Sequence, residues 1–116
     1  MKQPLAYIHP GAKIAPSVVI DPFVTIENNV EIGEGTRICS NVTIMEGARI
    51  GKNCIIFPGA VISAIPQDLK FQGEETFAII GDNTTIEANT FIGRGCKIGS
   101  NCRIANNVSI TYCLMG

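Results

Sequence analysis

Isoleucine recurs every six residues through most of this sequence, and this period constrains the fold more than any other feature. The period is interrupted once, between Ile62 and Ile80. Its sixteen members are Ile8, Ile14, Ile20, Ile26, Ile32, Ile38, Ile44, Ile50, Ile56, Ile62, Ile80, Ile86, Ile92, Ile98, Ile104 and Ile110. Six residues rotate an α-helix by about 600°, which would spread these side chains over three sides of a helix. Six is a multiple of the two-residue period of a strand, so each repeat is predicted to be a short strand followed by a corner.

Two further positions of the repeat support this prediction. Two residues before most isoleucines stands a small or β-branched residue, such as Ala12, Val18 or Thr36. Three residues after most isoleucines stands Gly or Asn, the residues that adopt a positive φ most readily. The repeat therefore predicts tight turns around a narrow, filled interior. An ordinary β-sandwich with an accidental period is the alternative, but it leaves the agreement of three positions unexplained.

The pattern resembles that of the hexapeptide-repeat proteins. That resemblance implies an all-β fold, a left-handed parallel β-helix in which three hexads form one coil. The chain would have about five to six coils with one external loop. Handedness follows from the resemblance alone, since the spacing does not determine it.

The 116 residues are expected to form a single β-helix domain with a loop excursion at 63–79. A loop that leaves a solenoid and re-enters it in phase often carries binding groups, and a passive surface excursion is the alternative. The net charge is −1 and basic residues are scattered, which predicts no nucleic-acid partner. No apolar stretch reaches the ~20 residues of a membrane span, and no signal peptide is apparent, so a cytoplasmic protein is expected.

The cysteines and the histidine do not form a metal-binding pattern. The five cysteines lack zinc-site spacing, and three of them, Cys54, Cys96 and Cys102, occupy the small inward position. There they are expected to act as compact apolar groups. Only one histidine is present. No metal and no cofactor are expected.

Four segments carry a more specific resemblance. They are Ile-Met-Glu-Gly-Ala-Arg-Ile-Gly-Lys-Asn-Cys (44–54), Phe-Pro-Gly-Ala-Val-Ile-Ser (57–63), Pro-Gln-Asp-Leu-Lys-Phe-Gln-Gly-Glu-Glu-Thr (66–76) and Ile-Gly-Asp-Asn-Thr-Thr-Ile (80–86). They look like UDP-N-acetylglucosamine acyltransferase, which moves a 3-hydroxyacyl chain from acyl carrier protein to the sugar in the first step of lipid A biosynthesis. The similarity covers roughly residues 5 to 86, on the N-terminal side of that family.

The resemblance implies which loop residues bind substrate. Asp68 and Lys70 match family residues that hold the nucleotide-sugar, and Gln67 is a weaker candidate. A carboxylate can accept hydrogen bonds from sugar hydroxyls, and an ammonium can offset phosphate charge. The family site lies between subunits, so the resemblance also implies a homotrimer. UDP-N-acetylglucosamine and acyl carrier protein are the implied partners.

The catalytic residue of the family is not matched. Its general base is a histidine in an Ala-His-x-Ala-His-Asp segment, and this sequence contains no such segment. His9 follows Ile8 in the first coil, about 14 Å along the axis from the excursion. The chain is therefore expected to be a truncated or recombined, catalytically deficient module without the family's helical C-terminal domain. The alternatives are a non-enzymatic or engineered trimeric scaffold, and a small acetyl-CoA-dependent acetyltransferase, which also usually uses a histidine base.

Overall fold

The computed structural model describes residues 5–64 and 77–110, together with the backbone of residues 114–115. Within them the chain forms short strands joined by corners. The strands are β1 (Tyr7–Ile8), β2 (Lys13–Ile14), β3 (Val19–Ile20), β4 (Thr25–Ile26), β5 (Glu31–Ile32), β6 (Arg37–Ile38), β7 (Thr43–Ile44), β8 (Ala48–Ile50), β9 (Ile55–Ile56), β10 (Val61–Ala64), β11 (Ala78–Ile80), β12 (Thr85–Ile86), β13 (Phe91–Gly93), β14 (Lys97–Ile98), β15 (Arg103–Ile104), β16 (Ser109–Ile110) and β17 (Leu114–Met115).

Three parallel sheets form the sides of the molecule. Sheet 1 has the order β1-β4-β7-β10-β13-β16, sheet 2 has β2-β5-β8-β11-β14-β17, and sheet 3 has β3-β6-β9-β12-β15. Each strand pairs with the strand three further along the chain, so three consecutive strands make one coil. The register stacks the isoleucines directly, as in Ile8 beside Ile26 and Ile26 beside Ile44. The all-β solenoid, predicted with about five to six coils, is confirmed, and it has about five turns.

The interior is a column of isoleucines with small residues between them. Fourteen of the sixteen period isoleucines are buried, from Ile20 to Ile110. The repeat predicts that every isoleucine of the period is buried, but Ile8 and Ile14 are only partly buried, because the described residues form no coil beneath theirs. The small position is filled by buried Val, Ala, Cys and Thr in the middle coils. Each coil buries too little apolar surface to fold alone, so stability comes from stacking.

The corners are built by residues in the left-handed conformation. Asn residues at the predicted turn position have φ between 57° and 62°, as at Asn53 and Asn41, and Gly35, Gly47, Gly59 and Gly95 have φ between 75° and 93°. Phe23 adopts the same conformation with φ 65°, although a bulky side chain disfavours it. The corner geometry is therefore imposed by the coil and not only by the residue type.

The excursion leaves sheet 1 and returns to sheet 2 in the fourth coil. Strand β10 continues through Ser63 and Ala64, and β11 begins at Ala78, so both ends of the expected 63–79 segment belong to strands. Ile62 and Ile80 are 18 residues apart where the period requires 6, which leaves 18 − 6 = 12 additional residues. Residues 65–76 lie outside the described part of the chain.

No helix of the described residues is long and apolar enough to cross a membrane.

Candidate functional site

The excursion is held at one corner of the solenoid, between sheet 1 and sheet 2. We call this corner the loop corner and define it by residues 45–48 in the coil below, 63–64 and 77–78 at the two ends of the excursion, and 93–96 in the coil above. Three successive coils therefore contribute to it. Its contacts fix where the excursion begins and ends.

The departing end is anchored through Ser63. Its side chain is fully buried and its φ is 70°, at an irregularity in the pairing of β10 with β13. The Ser63 hydroxyl donates a hydrogen bond of 2.7 Å to the carbonyl of Glu46 in the coil below. The Ala64 carbonyl accepts 2.6 Å from the backbone N–H of Arg94 in the coil above. The chain is thus tied to both neighbouring coils immediately before it leaves.

The returning end is anchored through Phe77 and Ala78. The backbone N–H of Ala78 donates to the Gly47 carbonyl at 3.1 Å, and the Phe77 carbonyl accepts from Gly95 at 3.1 Å. The Phe77 ring lies under the guanidinium of Arg49, with 4.4 Å from Cζ to the ring centroid. A cation over an aromatic face contributes roughly 0.5–1 kcal/mol at such partly exposed sites. Both ends of the excursion are therefore held on the solenoid.

Arg49 is itself fixed by the coil below. Its terminal nitrogens donate to the backbone carbonyl and side-chain oxygen of Asn29 at 2.6 and 2.7 Å. Its Nε lies 3.7 Å from a carboxylate oxygen of Glu31. Since the guanidinium is held from below, it presents a defined platform to the Phe77 ring.

Arg94 reaches the departing end from the coil above. Its Nε donates to the Ser63 carbonyl at 3.3 Å, and the residue is only 9% exposed. The described residues offer its guanidinium no carboxylate within 4 Å. A buried cation with one neutral side-chain hydrogen-bond partner among the described residues is an unusual arrangement, because desolvating a charge is costly.

The substrate-binding residues suggested by the sequence, Asp68, Lys70 and Gln67, lie outside the described residues. The structure shows the two ends of the segment that carries them. Both ends lie at the loop corner, and 12 residues separate them in the sequence.

His9 lies on the same edge of the prism, three coils below the excursion. Its Nδ1 accepts a hydrogen bond of 2.9 Å from the backbone N–H of Gly11 within its own corner. Coils stack at about 4.8 Å, so three coils separate His9 from the excursion by about 14 Å. Direct proton transfer requires about 3 Å between heavy atoms. His9 is therefore placed to stabilise its own turn and not to act at the loop corner.

The cysteines of the described chain serve the core. Cys39, Cys54 and Cys96 are buried, and Cys102 is partly exposed. Burial raises the pKa of the Cys54 and Cys39 thiols, which disfavours the reactive thiolate. Among the described residues no group of three or more His, Cys, Asp and Glu side chains is arranged to hold a metal ion.

Two family models match the chain. The model described as the GMPPB C-terminal domain covers residues 2–65, more than half of the chain, and the model described as bacterial transferase hexapeptide (six repeats) covers residues 77–112. The chain belongs to the GMPPB C-terminal domain family. Its second block consists of bacterial transferase hexapeptide repeats. Both matches concern the hexapeptide-repeat solenoid.

Individual relatives of the chain indicate a more specific function than the two family models do. An acyl-[acyl-carrier-protein]–UDP-N-acetylglucosamine O-acyltransferase from Chlamydia caviae is 42% identical over 107 residues, which is 92% of this chain and 38% of that protein. A crystal structure of the UDP-N-acetylglucosamine acyltransferase from Bacteroides fragilis is 50% identical, with a TM-score of 0.91, over 97% of this chain and 46% of that one. The resemblance to these acyltransferases is confirmed.

The fold matches over the whole length of the chain. The Francisella novicida UDP-N-acetylglucosamine acyltransferase superposes with a TM-score of 0.94 at 39% identity, over 100% of this chain and 45% of that one. These neighbours are left-handed β-helices, and the fold class predicted from the sequence is confirmed. The chain spans 38–46% of the length of these three relatives.

Sequence reasoning missed Ser63 and Arg94. Arg94 stands two residues after Ile92, a position that is exposed in most other hexads, as at Lys52 and Glu34. One signal was available. Counting 18 residues per coil and adding the 12 extra residues places Arg94 directly above Ala64, at the start of the excursion.

Proposed function

We propose that this chain binds UDP-N-acetylglucosamine at the loop corner, as the N-terminal β-helix part of an acyltransferase-type protein. In this proposal the Asp68 carboxylate accepts hydrogen bonds from sugar hydroxyls and the Lys70 ammonium offsets phosphate charge. Gln67 adds a weaker polar contact. The observation that carries the proposal is the match to UDP-N-acetylglucosamine acyltransferases along 92–100% of the chain.

The contacts at the loop corner support the excursion as a binding segment. The excursion starts and ends on a rigid support, with Ser63 tied to Glu46 and Phe77 packed on Arg49. A short loop between two fixed ends loses less conformational entropy when it binds a ligand than a free segment does. Binding groups positioned by a rigid scaffold are common in proteins.

Acyl transfer by this chain alone is proposed to be negligible. A general base typically contributes about 10²–10⁴-fold in rate, and the single histidine of the sequence lies three coils away from the loop corner. Carboxylates titrate near pH 4 and are weak bases toward a sugar hydroxyl. We therefore assign sugar-nucleotide binding to the chain and not turnover; acyl carrier protein belongs to the proposal only as the acyl donor of its relatives.

The proposal includes a homotrimer in the cytoplasm. Sheet 1 supports self-association, because the outward positions of its strands carry no charge. They are Tyr7, Thr25, Thr43, Val61, Phe91 and Ser109. The outward positions of sheet 2 include Lys13, Glu31, Arg49 and Lys97, and those of sheet 3 include Arg37 and Arg103. Charge depletion is typical of the buried part of an interface.

Isothermal titration with UDP-N-acetylglucosamine tests the binding. Asp68→Asn and Lys70→Gln should each weaken binding about tenfold or more, since each removes a hydrogen bond to a charged group. Lys97→Gln, which removes a positive charge from the outer face of sheet 2, is the control and should change affinity by less than about twofold.

Turnover is measured separately, with 3-hydroxyacyl-acyl carrier protein as donor. Acylated sugar nucleotide should not accumulate above the background without protein. Binding that is insensitive to both loop substitutions would contradict the assignment of the site. Absence of any binding would favour the scaffold alternative, and turnover that is lost in Asp68→Asn would show that the chain is an enzyme by itself.

A further inference from the structure

Arg94 is the arginine whose surroundings least suit a cation. The sequence contains four arginines. Three of them pair with carboxylates: Arg37 with Asp21, Arg49 with Glu31, and Arg103 with Glu87. Their side chains are 57%, 23% and 75% exposed, so water screens each of them as well. Arg94 is the most buried of the four at 9% exposure, and within the described chain it has no carboxylate partner.

Within the described part of the chain, the terminal nitrogens of Arg94 make no hydrogen bond. Its Nε donates to the Ser63 carbonyl at 3.3 Å, and this contact orients the side chain toward the start of the excursion. The two terminal nitrogens carry four further N–H donors, and no described residue accepts from them. A planar guanidinium presents these donors in the geometry that matches the oxygens of a phosphate or carboxylate.

The backbone beside Arg94 leaves room for a ligand. A side chain built on Gly95 would have no described heavy atom within 4 Å. Gly35 and Gly59 stand at the same hexad position on the other two corners of the prism, and there an Asn side chain of the next coil lies 2.2 Å from such a Cβ position. Gly95 also has a φ of 93°, a conformation in which most other residues would be strained. Among the described residues, the loop corner is therefore open next to a guanidinium whose terminal nitrogens have no described partner.

We propose that the terminal nitrogens of Arg94 bind a phosphate group of a ligand held at the loop corner. The inference rests on the proposed function, because it names the part of the sugar nucleotide that Arg94 would recognise. A phosphate supplies both the counter-charge and the acceptors that the described surroundings lack. The diphosphate of the sugar nucleotide and the phosphate of a phosphopantetheine arm share this chemistry, so the test includes both.

Binding of UDP-N-acetylglucosamine, UDP, 4′-phosphopantetheine and inorganic pyrophosphate is measured by titration on the full chain, its Arg94→Gln variant and its Arg94→Lys variant. Arg94→Gln should weaken UDP binding about 10- to 100-fold, as expected for loss of hydrogen bonds to a charged group. Arg94→Lys keeps the charge but loses the planar fork. Its affinity for UDP should therefore lie between those of the full chain and of Arg94→Gln. Arg103→Gln, which removes an arginine from sheet 3, is the matched control and should change affinity less than about twofold.

Thermal unfolding without ligand separates binding from folding. If Arg94→Gln unfolds before it can be titrated, Arg94→Lys carries the comparison. Pyrophosphate binding that depends on Arg94 without UDP-N-acetylglucosamine binding would support the inference and contradict the proposed function. UDP-N-acetylglucosamine binding that is unchanged in both Arg94 variants would overturn the inference and leave the proposed function standing. If the Arg94 substitutions weaken 4′-phosphopantetheine binding more than UDP binding, the phosphate at Arg94 belongs to the acyl donor and not to the nucleotide.

Discussion

At the scale of single residues, the corners depend on side chains that tolerate a positive φ. Nine non-glycine residues of the described chain have a positive φ, and seven of them are asparagine. Asparagine reaches this region at low cost, whereas a bulky residue loses roughly 1–2 kcal/mol there. The exceptions are Phe23 and Ser63. Ser63 is tied to Glu46 and Arg94, so its conformation is held by hydrogen bonds, but Phe23 is 63% exposed.

Phe23→Asn is therefore expected to stabilise the protein. The substitution relieves the left-handed strain and removes a side chain with little burial to lose, so the free energy of unfolding should rise by about 1 kcal/mol. Asn41→Ala, at an equivalent corner with φ 62°, should lower it by a similar amount. Urea unfolding measures both. A loss of stability in Phe23→Asn would show that the Phe23 ring makes a contact worth more than the strain.

The buried thiols predict how stability depends on pH. Burial raises the pKa of Cys54 above the ordinary cysteine value of about 8.5, so its thiol stays protonated in the fold after it has ionised in the unfolded chain. The contribution of the protonated Cys54 thiol to the free energy of unfolding is thus complete below about pH 8.5, and it is lost as pH rises toward the pKa of the thiol in the folded protein. The free energy of unfolding should fall between pH 8.5 and 10, less steeply in Cys54→Ala. Equal slopes in the two proteins would contradict this.

The sequence predicted the structural role of most hexad positions: the isoleucines and the small residues face inward, and Gly or Asn forms most corners. This was possible because each position has one physical requirement. The Phe23 conformation could not, since neighbouring coils impose it against local preference. Arg94 is similar. Its position in the hexad predicts exposure, but the residue is only 9% exposed beside the departing end of the excursion. Asp68, Lys70 and Gln67 were identified by resemblance, and they remain predictions.

At the scale of strands, most strands have only two residues, which are too few to hold a sheet by themselves. The coils are joined additionally by threonine hydroxyls in the small position. The Thr36 hydroxyl donates to the Gly51 carbonyl at 2.8 Å and accepts from the backbone N–H of Cys54 at 3.1 Å. The Thr84 hydroxyl makes the same two contacts: it donates to the Gly99 carbonyl at 2.8 Å and accepts from the backbone N–H of Cys102 at 3.3 Å. These hydroxyls satisfy backbone groups at corners that the sheets leave unpaired.

Thr36→Val tests this role, because valine has nearly the same shape and keeps the packing. The substitution leaves a carbonyl and an N–H without their partner in a buried corner, so it should lower the free energy of unfolding by about 1–3 kcal/mol. Thr90 makes only the donation, to Ala105 at 2.8 Å, so Thr90→Val should cost less. Chemical denaturation of both variants gives the comparison. If Thr36→Val is neutral, the hydroxyl does not contribute to coil stacking.

At the scale of the whole molecule, the three faces of the prism differ in charge, and this difference predicts how copies associate. Val61 and Thr85 lie in the same coil, at outward positions of sheet 1 and sheet 3. Val61→Glu places a charge on the uncharged face and should convert the proposed trimer to monomer, because an unpaired buried charge is strongly unfavourable. Thr85→Glu should remain trimeric. Sedimentation equilibrium at micromolar concentration distinguishes them, and the opposite pattern would place the interface on sheet 3.

The most direct measurement of the central claim uses a deletion that the repeat itself defines. Removal of residues 65–76 joins Ala64 to Phe77 and produces the hexad Ser63-Ala64-Phe77-Ala78-Ile79-Ile80, with Ala78 and Ile80 at their repeat positions. Circular dichroism should show an intact β-solenoid, because every strand and core residue of the described chain is kept. Titration with UDP-N-acetylglucosamine should show binding to the full chain and none to the deletion variant. Equal binding by the two proteins would contradict the account.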